Sequence, residues 1–474
     1  MKKYYYERSN LLESDINIYF EELLYMNDKE TSKWIKNLRS FIISEWDDKG
    51  IPPTIGQNTD KILTNFGKLR DYPVEDFLVS DDDGNEDVIR NYNKQATSIN
   101  QFFPTMLKTR VGKASIYDWF TDEFQDRFEK VIRRILKRDS MYNWSKCIWK
   151  DDEIPEHFFI VQHKKATNTG RYKTLSAEEV YKLDDKHKTN LPKELDGEVN
   201  DFFVRTFELK QRIFPAGIQA FRLGLGQPAV NFPPLTARYL YERYTDHIKQ
   251  DEPLNIYDPS SGWGGRILGA MSSKKQIHYV GTDPNTDNFI DDLEISRYEY
   301  VANFYNDEVL GGNDFWDTEH KNTFHYFQMG SEHIGDHPDF QQYKGKLDMV
   351  FTSPPYFDRE QYSEDEEQSY KSYPQYDDWR DNFLKPTLTN AYESLRNDRY
   401  LLWNIADIKI GTNKFHPLEQ DSIDILLSLG ADYQGKLKML MTSMVGVNQS
   451  KVKNAVKVNG KYLKYEPIFV FYKK

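Results

Sequence analysis

The chain is organised around one stretch, Asp348-Met349-Val350-Phe351-Thr352-Ser353-Pro354-Pro355-Tyr356-Phe357. Residues 347–351 form a largely apolar run, and two hydroxyl residues, two prolines and an aromatic residue follow it. A buried strand here would deliver Ser353 and Tyr356 to the edge of a sheet. Open α/β sheets bind their ligands at that edge.

The residues after this strand offer groups that could bind one planar ligand together. The Ser353 hydroxyl can accept a hydrogen bond, Pro354 has no backbone N–H but offers its carbonyl as an acceptor, and Tyr356 offers a flat face for stacking. Together they could hold a planar group that carries an exocyclic NH2. The alternative is that the two prolines only end a strand and that Tyr356 caps the core.

A second stretch, Leu254-Asn255-Ile256-Tyr257-Asp258-Pro259-Ser260-Ser261-Gly262-Trp263-Gly264-Gly265-Arg266, is typical of a strand, a glycine-rich turn and the start of a helix. Glycines in the turn allow the backbone to approach a ligand closely. A phosphate-binding loop would end in Lys-Ser or Lys-Thr, which is absent, and the dinucleotide fingerprint has a different glycine spacing. Two such strand ends in one sheet would place a cofactor pocket beside a reaction site.

The two motifs in this order, Asp-Pro-x-x-Gly-x-Gly at 258–264 and Thr-Ser-Pro-Pro-Tyr at 352–356, resemble those of the amino-methyltransferases that use S-adenosylmethionine to methylate N4 of cytosine or N6 of adenine in DNA. The resemblance covers residues 231–474. It implies a Rossmann-like, doubly wound α/β methyltransferase domain. We expect this domain to occupy 228–474, with strands near 254–258, 278–282, 324–329, 347–351 and 400–405 and a terminal antiparallel pair, 436–442 with 467–472.

The resemblance also implies roles for individual residues. Asp283, at the end of the second strand, would accept hydrogen bonds from the ribose hydroxyls, and Ser331 or Glu332 would lie near the adenine ring, where family members usually carry Asp. The catalytic residues would be Ser353, Pro354, Pro355 and Tyr356. The residues expected to bind the cofactor are Phe232, Asp258, Ser260, Gly262, Gly264, Asp283 and Ser331.

The reaction implied is a direct methyl transfer to an exocyclic amine whose N–H groups bond to Ser353 and to the Pro354 carbonyl. The target atom is inaccessible in a stacked duplex, so the base would be flipped and would stack on Tyr356 or Phe357. The acidic segment 358–367 would form a mobile lid. A serine before Pro-Pro-Tyr slightly favours cytosine N4 over adenine N6.

Composition excludes several classes of protein. The chain has 474 residues, a net charge of −12 and 38% hydrophobic residues, and no apolar run of membrane-spanning length. Cys147 is the single cysteine, which excludes an internal disulfide and a cysteine-based zinc cluster. The acidic run 80–87 lacks the full calcium-loop pattern, so no metal site is expected. No secretion signal is evident, and we expect a cytoplasmic protein.

Residues 1–227 are expected to form a mainly helical region that recognises the DNA target, by elimination. Cations interleaved with aromatic residues across 130–150 would track phosphates and stack on bases, with Arg133 and Arg134 as candidates. An ordinary solvated helix face is the alternative. A lysine-rich loop before the last strand, which includes Lys451 and Lys453, would hold phosphates near the target base.

The sequence therefore predicts an S-adenosylmethionine-dependent DNA methyltransferase. The alternatives are a methyltransferase for RNA or for a protein amide, and a degenerate domain that only binds nucleic acid. The expected partner is DNA, with no membrane, and the oligomeric state and a restriction partner are open.

Overall fold

The structure is a computed structural model that describes residues 26–50, 52, 57–75, 77–90, 97–112, 114–136, 144–149, 158–161, 172–175, 200–206, 229–249, 251–306, 322–363, 366–412, 414–441 and 453–474. Its helices are α1 (Asp28–Lys49), α2 (Thr59–Asp71), α3 (Thr97–Asn100), α4 (Gln125–Leu136), α5 (Pro234–Tyr244), α6 (Gly265–Met271), α7 (Arg297–Tyr305), α8 (Ser369–Ser372), α9 (Tyr376–Trp379), α10 (Lys385–Ser394) and α11 (Leu418–Ser428).

The strands are β1 (Leu78–Val79), β2 (Val88–Ile89), β3 (Arg110–Val111), β4 (Trp144–Trp149), β5 (Phe158–Val161), β6 (Tyr172–Leu175), β7 (Asn200–Thr206), β8 (Leu254–Asp258), β9 (Ile277–Thr282), β10 (Phe289–Ile290), β11 (Ile295–Ser296), β12 (Thr323–Phe327), β13 (Leu347–Thr352), β14 (Glu360–Gln361), β15 (Leu395–Asn404), β16 (Ile408–Gly411), β17 (Lys414–His416), β18 (Asp432–Leu440), β19 (Ala455–Val458) and β20 (Lys461–Lys473).

The chain forms two compact units, and their boundaries differ from a single division at residue 228. The first unit contains the described parts of 57–112 and 229–474, and the second contains those of 8–56 and 113–228. Residues 57–112 join the first unit because β2 pairs with β18 and because Ile62 and Phe66 of α2 lie in its core. Residues 113–228 therefore interrupt the first unit.

A ten-stranded sheet organises the first unit, in the order β1-β2-β18-β20-β15-β13-β8-β9-β12, with β19 paired to β20. Strands β15, β13, β8, β9 and β12 are parallel, whereas β20 is antiparallel to both β15 and β18. The chain runs from β8 outward through β9 to β12, then returns to β13 and runs the other way to β15. The strand order thus reverses between β8 and β13, and a reversal of this kind opens a crevice at the carboxyl ends of the strands.

Helices cover both faces of this sheet, as a mostly parallel sheet requires. Every residue of β13 is buried, with Met349 and Phe351 in one core cluster and Leu347 and Val350 in the other. The first cluster receives apolar side chains of α2, α5, α6 and α7, and the second receives those of α10 and α11. The expected doubly wound α/β fold, its parallel strands and its terminal antiparallel pair are confirmed.

The described residues of the second unit contain strands as well as helices. Besides α1 and α4, its described residues include a four-stranded antiparallel sheet in the order β4-β7-β5-β6. Arg39 of α1 is buried and donates to the Phe120 carbonyl over 2.8 Å, which ties α1 to the turn before α4. A hairpin near 167–170 was predicted from the sequence, and β5 and β6 on either side of it do pair, whereas the pairing of β7 with β4 and β5 was not evident from the local pattern.

Within the described ranges, no helix combines the length and the apolar character needed to cross a bilayer.

Candidate active site

The two sequence motifs meet at the reversal of the strand order. Strands β8 and β13 are direct neighbours, with Met349 opposite Ile256 and Val350 opposite Tyr257. At their carboxyl ends, Thr352 Oγ1 donates a 2.7 Å hydrogen bond to Asp258 Oδ1. The glycine-rich turn and the Ser-Pro-Pro-Tyr segment therefore leave the sheet side by side.

Asp258 is fully buried, and several donors share its carboxylate. Arg266 Nε donates to Oδ2 over 2.7 Å, the Tyr279 hydroxyl donates to the same oxygen, and the Ser260 N–H donates to Oδ1 over 3.3 Å. Arg266 also donates to the Ser260 carbonyl. These contacts show that Asp258 orients the turn. Because they occupy its carboxylate, they conflict with the direct cofactor contact expected of it.

The glycine-rich turn owes its shape to backbone conformations that favour glycine. Gly262 and Gly264 have φ values of 60° and 74°. A Cβ on Gly264 would lie 2.6 Å from Cε2 of Phe103, and one on Gly265 would lie 2.2 Å from the Phe232 carbonyl oxygen. Residues near 103 and 232 therefore pack directly against the turn. The Phe232 ring is buried edge-on to Phe351, with the Arg266 guanidinium 5.7 Å from its centroid.

Asp283 follows β9 and lies beside the same turn. Its Oδ2 accepts from the Gly262 N–H over 2.9 Å and its Oδ1 accepts from the Asn285 N–H over 3.1 Å. Burial raises the pKa of this carboxyl to about 6, although both backbone N–H groups favour the ionised form. Each carboxylate oxygen retains a lone pair, so Asp283 can accept further hydrogen bonds at the edge of the crevice.

After β12, the structure separates the two residues that the sequence left as alternatives. Ser331 is buried, and its hydroxyl lies 3.0 Å from Thr387 Oγ1, so it contacts the helix α10. The Glu332 carboxylate is also buried, with 4% of the side chain exposed. Its Oε2 has no hydrogen-bond partner among the residues that the structure describes, and burial raises its pKa. A buried acceptor without a donor is uncommon, and Glu332 is the better candidate for a ligand contact.

The Ser-Pro-Pro-Tyr segment follows β13 as expected. Ser353 and Tyr356 are partly exposed, and Pro354 is buried. The Tyr356 hydroxyl points to the carbonyl of Asn404, 3.5 Å away at the end of β15, and interacts with Ser353 and Glu466. Burial raises the pKa of Tyr356 well above its ordinary value, so the phenol stays neutral near pH 7.

Phe357 does not occupy the position expected of a stacking residue. It is 4% exposed and packs edge-on against Tyr376 and His416 and near Trp379. Its φ of 44° turns the chain into this aromatic cluster. The expected base-stacking role of Phe357 therefore conflicts with its packing, and Tyr356, which is partly exposed, remains the candidate for that role.

The segment after Phe357 is not a free loop. Glu360 and Gln361 form β14, which pairs antiparallel with Val111 and Arg110 of β3. The Tyr362 ring lies 5.4 Å from that of Trp263 in the glycine-rich turn. The mobile lid expected over 358–367 is therefore corrected for 358–363, which is paired and packed, and residues 364–365 lie outside the described part.

Of the four cations expected to bind nucleic acid, the structure describes the side chains of two, and both form ion pairs within the protein. Arg133 donates to Glu129 over 2.8 Å and to Asp28 over 2.8 Å, so its charge is used within the second unit. Lys453 pairs with Asp407 and lies 3.6 Å from Glu419. Neither is available as predicted. The side chain of Arg134 and the whole of Lys451 lie outside the described residues.

The calcium-like run at 80–87 has a structural explanation. Asp81 Oδ1 accepts from the N–H groups of Asp83 and Asn85, and its Oδ2 accepts from Lys438 Nζ over 2.8 Å. Lys438 also lies 2.9 Å from Asp87. In the described ranges, no group of three or more His, Cys, Asp or Glu residues could hold a metal ion. The run joins the β1–β2 hairpin to β18.

Sequence reasoning missed the cover over the glycine-rich turn. Residues 97–112 supply Phe103 against Gly264, the Phe102 carbonyl to Arg297 over 3.0 Å, and Thr105 Oγ1 to Asn288 Oδ1 over 3.0 Å. The local sign of this cover was the aromatic pair Phe102-Phe103, which Pro104 follows in the sequence. Both phenylalanine rings are buried. Only the fold reveals what that pair covers.

Comparisons with known proteins add the following. No protein-family model and no curated protein matches the chain. Among solved structures, TrmN from Thermus thermophilus matches at 14% identity over 59% of this chain and 57% of its own, with a TM-score of 0.28. A candidate DNA modification methylase, also from Thermus thermophilus and complexed with S-adenosyl-L-methionine, matches at 18% identity over 30% of this chain and 52% of its own, with a TM-score of 0.21.

A TehB-like SAM-dependent methyltransferase from Corynebacterium glutamicum matches at 12% identity over 52% of this chain and 90% of its own, with a TM-score of 0.25. The chain thus spans little more than half the length of the first two structures. Because these TM-scores lie below 0.5, we base the fold assignment on the strand order and packing described above.

Proposed function

We propose that the protein is an S-adenosylmethionine-dependent methyltransferase that acts on the exocyclic amine of a nucleic-acid base, with DNA as its substrate and cytosine N4 slightly favoured over adenine N6. The observation that carries this proposal is the Thr352–Asp258 hydrogen bond, which joins the two motifs at the reversal of the strand order. A cofactor turn and an amine-binding segment at one crevice match the needs of a direct transfer.

The crevice offers a suitable set of groups for the cofactor. Asp283 has acceptor capacity for the two ribose hydroxyls. The buried Oε2 of Glu332, which has no hydrogen-bond partner among the described residues, can accept from the adenine amine. The glycines of the turn pack closely against Phe103 and the Phe232 carbonyl, which fixes the course of the backbone that would approach the cofactor. When bound, S-adenosylmethionine supplies a methyl group on a positively charged sulfur.

The residues of the catalytic segment hold the target amine. The nitrogen lone pair of cytosine or adenine is delocalised into the ring, so the amine is a poor nucleophile. Hydrogen bonds from its two N–H groups to the Ser353 hydroxyl and the Pro354 carbonyl favour a pyramidal nitrogen and direct the lone pair outward. Ser353 and Pro354 would thus hold the nitrogen in position to take the methyl group that the bound cofactor would supply, and one amine proton would be released to water.

Tyr356 supports the flipped base that this reaction requires. Its hydroxyl is held by neighbours on β15 and β20, and the part of its ring that is not packed against the core would stack on the base. A cytoplasmic location and a companion restriction enzyme stay predictions.

The test is transfer of labelled methyl from S-adenosylmethionine to unmethylated DNA and, in parallel, to unmodified RNA and to protein, followed by mass spectrometry of the products. N4-methylcytosine or N6-methyladenine in DNA supports the proposal and identifies the base. Label in RNA or in a glutamine amide, with none in DNA, would reject DNA as the substrate but would support methyl transfer to an NH2 nitrogen. Absence of S-adenosylmethionine binding by calorimetry would leave only a degenerate, binding domain.

A further inference from the structure

The β19–β20 hairpin extends past the active-site edge of the sheet. Asn404, the last residue of β15, pairs with Ile468 of β20, so residues 461–467 continue beyond the parallel strands. The turn at Asn459 and Gly460 has φ values of 50° and 74°, which suit a tight two-residue hairpin. The hairpin therefore projects on the side where Ser353 and Tyr356 lie.

The register of the hairpin separates two faces. Val456 is opposite Leu463, and both pack with Tyr465 and Val458 against Val88. Lys457 is opposite Tyr462 on the other face, and Lys464 follows Tyr462 two residues later, so these three side chains point the same way. We call Lys457, Tyr462 and Lys464 the hairpin face.

The hairpin face leads into the active site. Glu466 follows Lys464 on the same face of β20, and its carboxylate interacts with the Tyr356 hydroxyl. Each two-residue step along a strand covers about 6.7 Å, so Tyr462 lies roughly 13 Å from Glu466. A strand of nucleic acid with one base at Tyr356 would bring its neighbouring nucleotides to this face.

The chemistry of the hairpin face fits a polyanion that carries aromatic rings. Tyr462 is 49% exposed, and its ring contacts no other ring in the described part of the chain. Lys464 is exposed and forms no ion pair with a described residue, although its charge partly opposes the burial that raises the pKa of Glu466. Lys457 is 48% exposed and lies 3.7 Å from Asp82. Since Lys457 pairs with Asp82, the exposed ring of Tyr462 and the charge of Lys464 are the groups of this face that suit stacking on a base and neutralising a phosphate.

We propose that the hairpin face binds the nucleic-acid strand next to the target base, with Tyr462 stacked on a flanking base and Lys464 on a flanking phosphate. This inference rests on the proposed function and adds to it the surface that positions the substrate. It also reassigns the phosphate contact expected of Lys453, whose charge is used by Asp407.

The experiment measures binding of a fluorescent single-stranded DNA oligonucleotide by anisotropy at several salt concentrations, with the full chain and without cofactor. The variants are Tyr462→Ala and Lys464→Gln. The matched control is Lys461→Gln, an exposed lysine that sits opposite Val458 on the other face of the same hairpin. Thermal unfolding of each variant verifies that the fold is retained.

We expect Tyr462→Ala to weaken binding roughly 5- to 100-fold, which is the range for loss of one base stack. Lys464→Gln should reduce the slope of log affinity against log salt by about 0.7, the value for one phosphate contact on a single strand. Lys461→Gln should leave both unchanged. In methyl-transfer kinetics, the KM for the oligonucleotide should rise by the same factors, and the affinity for S-adenosylmethionine should be unchanged.

If Lys464→Gln and Lys461→Gln change the salt slope equally and Tyr462→Ala binds the oligonucleotide normally, the hairpin face is not a binding surface. That result would leave the proposed nucleic-acid substrate intact. Failure of the wild-type chain to bind any DNA or RNA oligonucleotide would overturn both the hairpin face and the proposed substrate. Binding does not depend on turnover, so the two failures are distinguishable.

Discussion

Thr352 Oγ1 donates a hydrogen bond to Asp258 Oδ1 over 2.7 Å at the carboxyl ends of two neighbouring parallel strands. Both side chains are fully buried. Asp258 also receives the Arg266 guanidinium, so the bond connects the strand before the Ser-Pro-Pro-Tyr segment to the helix after the glycine-rich turn. The separation of the two halves of the candidate site is thus fixed by a buried, charged hydrogen bond.

Thr352→Val should destabilise the first unit by about 1.5–3 kcal/mol, the usual value of a hydrogen bond to a charged group. Because valine has nearly the same shape as threonine, the loss of stability reports the removal of the hydroxyl group. Urea unfolding followed by near-UV circular dichroism measures it. Thr352→Ser keeps the hydroxyl and should retain most of the stability. An unchanged midpoint for the valine variant would show that the bond contributes little.

Ser353→Ala should leave the affinity for S-adenosylmethionine within about twofold and reduce methyl transfer by about 100-fold or more, because a polar group that orients the amine acts mainly in the transition state. Calorimetry and single-turnover transfer of labelled methyl measure the two quantities. Ser353→Thr retains a hydroxyl and serves as the control. Turnover of the alanine variant at the wild-type rate would remove Ser353 from the mechanism.

Cofactor binding should depend on pH through Asp283. The carboxylate must be ionised to accept from both ribose hydroxyls, and burial raises its pKa to about 6. The affinity should therefore rise as pH increases through about 6, and it should be about tenfold weaker at pH 5 than at pH 7.5, since about a tenth of the carboxyl is then ionised.

The same raised pKa affects folding in the opposite direction. The folded state binds the Asp283 proton more tightly than the unfolded state, so this group's contribution to stability is present at low pH and is lost as pH rises through about 6. Asp283→Asn should flatten both profiles. A binding profile with the same midpoint in the asparagine variant would assign the dependence to another group.

Gly264→Ala should be more damaging than Gly345→Ala, although both glycines have positive φ, 74° and 65°. A Cβ on Gly345 would meet nothing within 4 Å, so that variant measures backbone strain alone, about 1–2 kcal/mol. A Cβ on Gly264 would lie 2.6 Å from Phe103 and would displace the cover of the turn. Thermal unfolding and cofactor titration compare the two, and equal losses would contradict the contact.

Arg133→Ala should reduce stability and leave the salt dependence of nucleic-acid binding unchanged. The guanidinium joins α4 to α1 through Asp28 and Ser32 and pairs with Glu129 within α4, and these partly exposed contacts contribute about 1 kcal/mol in total. Differential scanning calorimetry and the oligonucleotide titration described above give the two values. A lower salt slope with an unchanged melting temperature would restore Arg133 as a phosphate contact.

The sequence predicted the parallel sheet well because its strands are short apolar runs that end in recognisable turns. It located the ends of β8, β9 and β13 within one or two residues, and hence the two motifs of the site. It could not tell that Asp258 is enclosed by donors, because those donors come from β9, β13 and α6 and meet only in the folded chain.

The errors have a common physical cause. Arg133, Lys453 and Phe357 have side chains suited to nucleic acid, but each finds a partner inside the protein, and partners far apart in sequence are not visible in a local pattern. The pairing of β3 with β14 joins residues 110–111 to residues 360–361 and was hidden for the same reason. The register of paired strands, as in the β19–β20 hairpin, likewise became evident only from the structure.

The interruption of the first unit by residues 113–228 has a consequence during protein synthesis. A ribosome adds about 5–20 residues per second, so α2 and β2 leave it on the order of ten seconds before β8 and later still before β18. Until then Ile62, Phe66 and Val88 have no sheet to cover them. The nascent chain must therefore pass through a period in which its first apolar segments are open to chaperones or to aggregation, and the yield of active protein should respond to the rate of translation across the interruption.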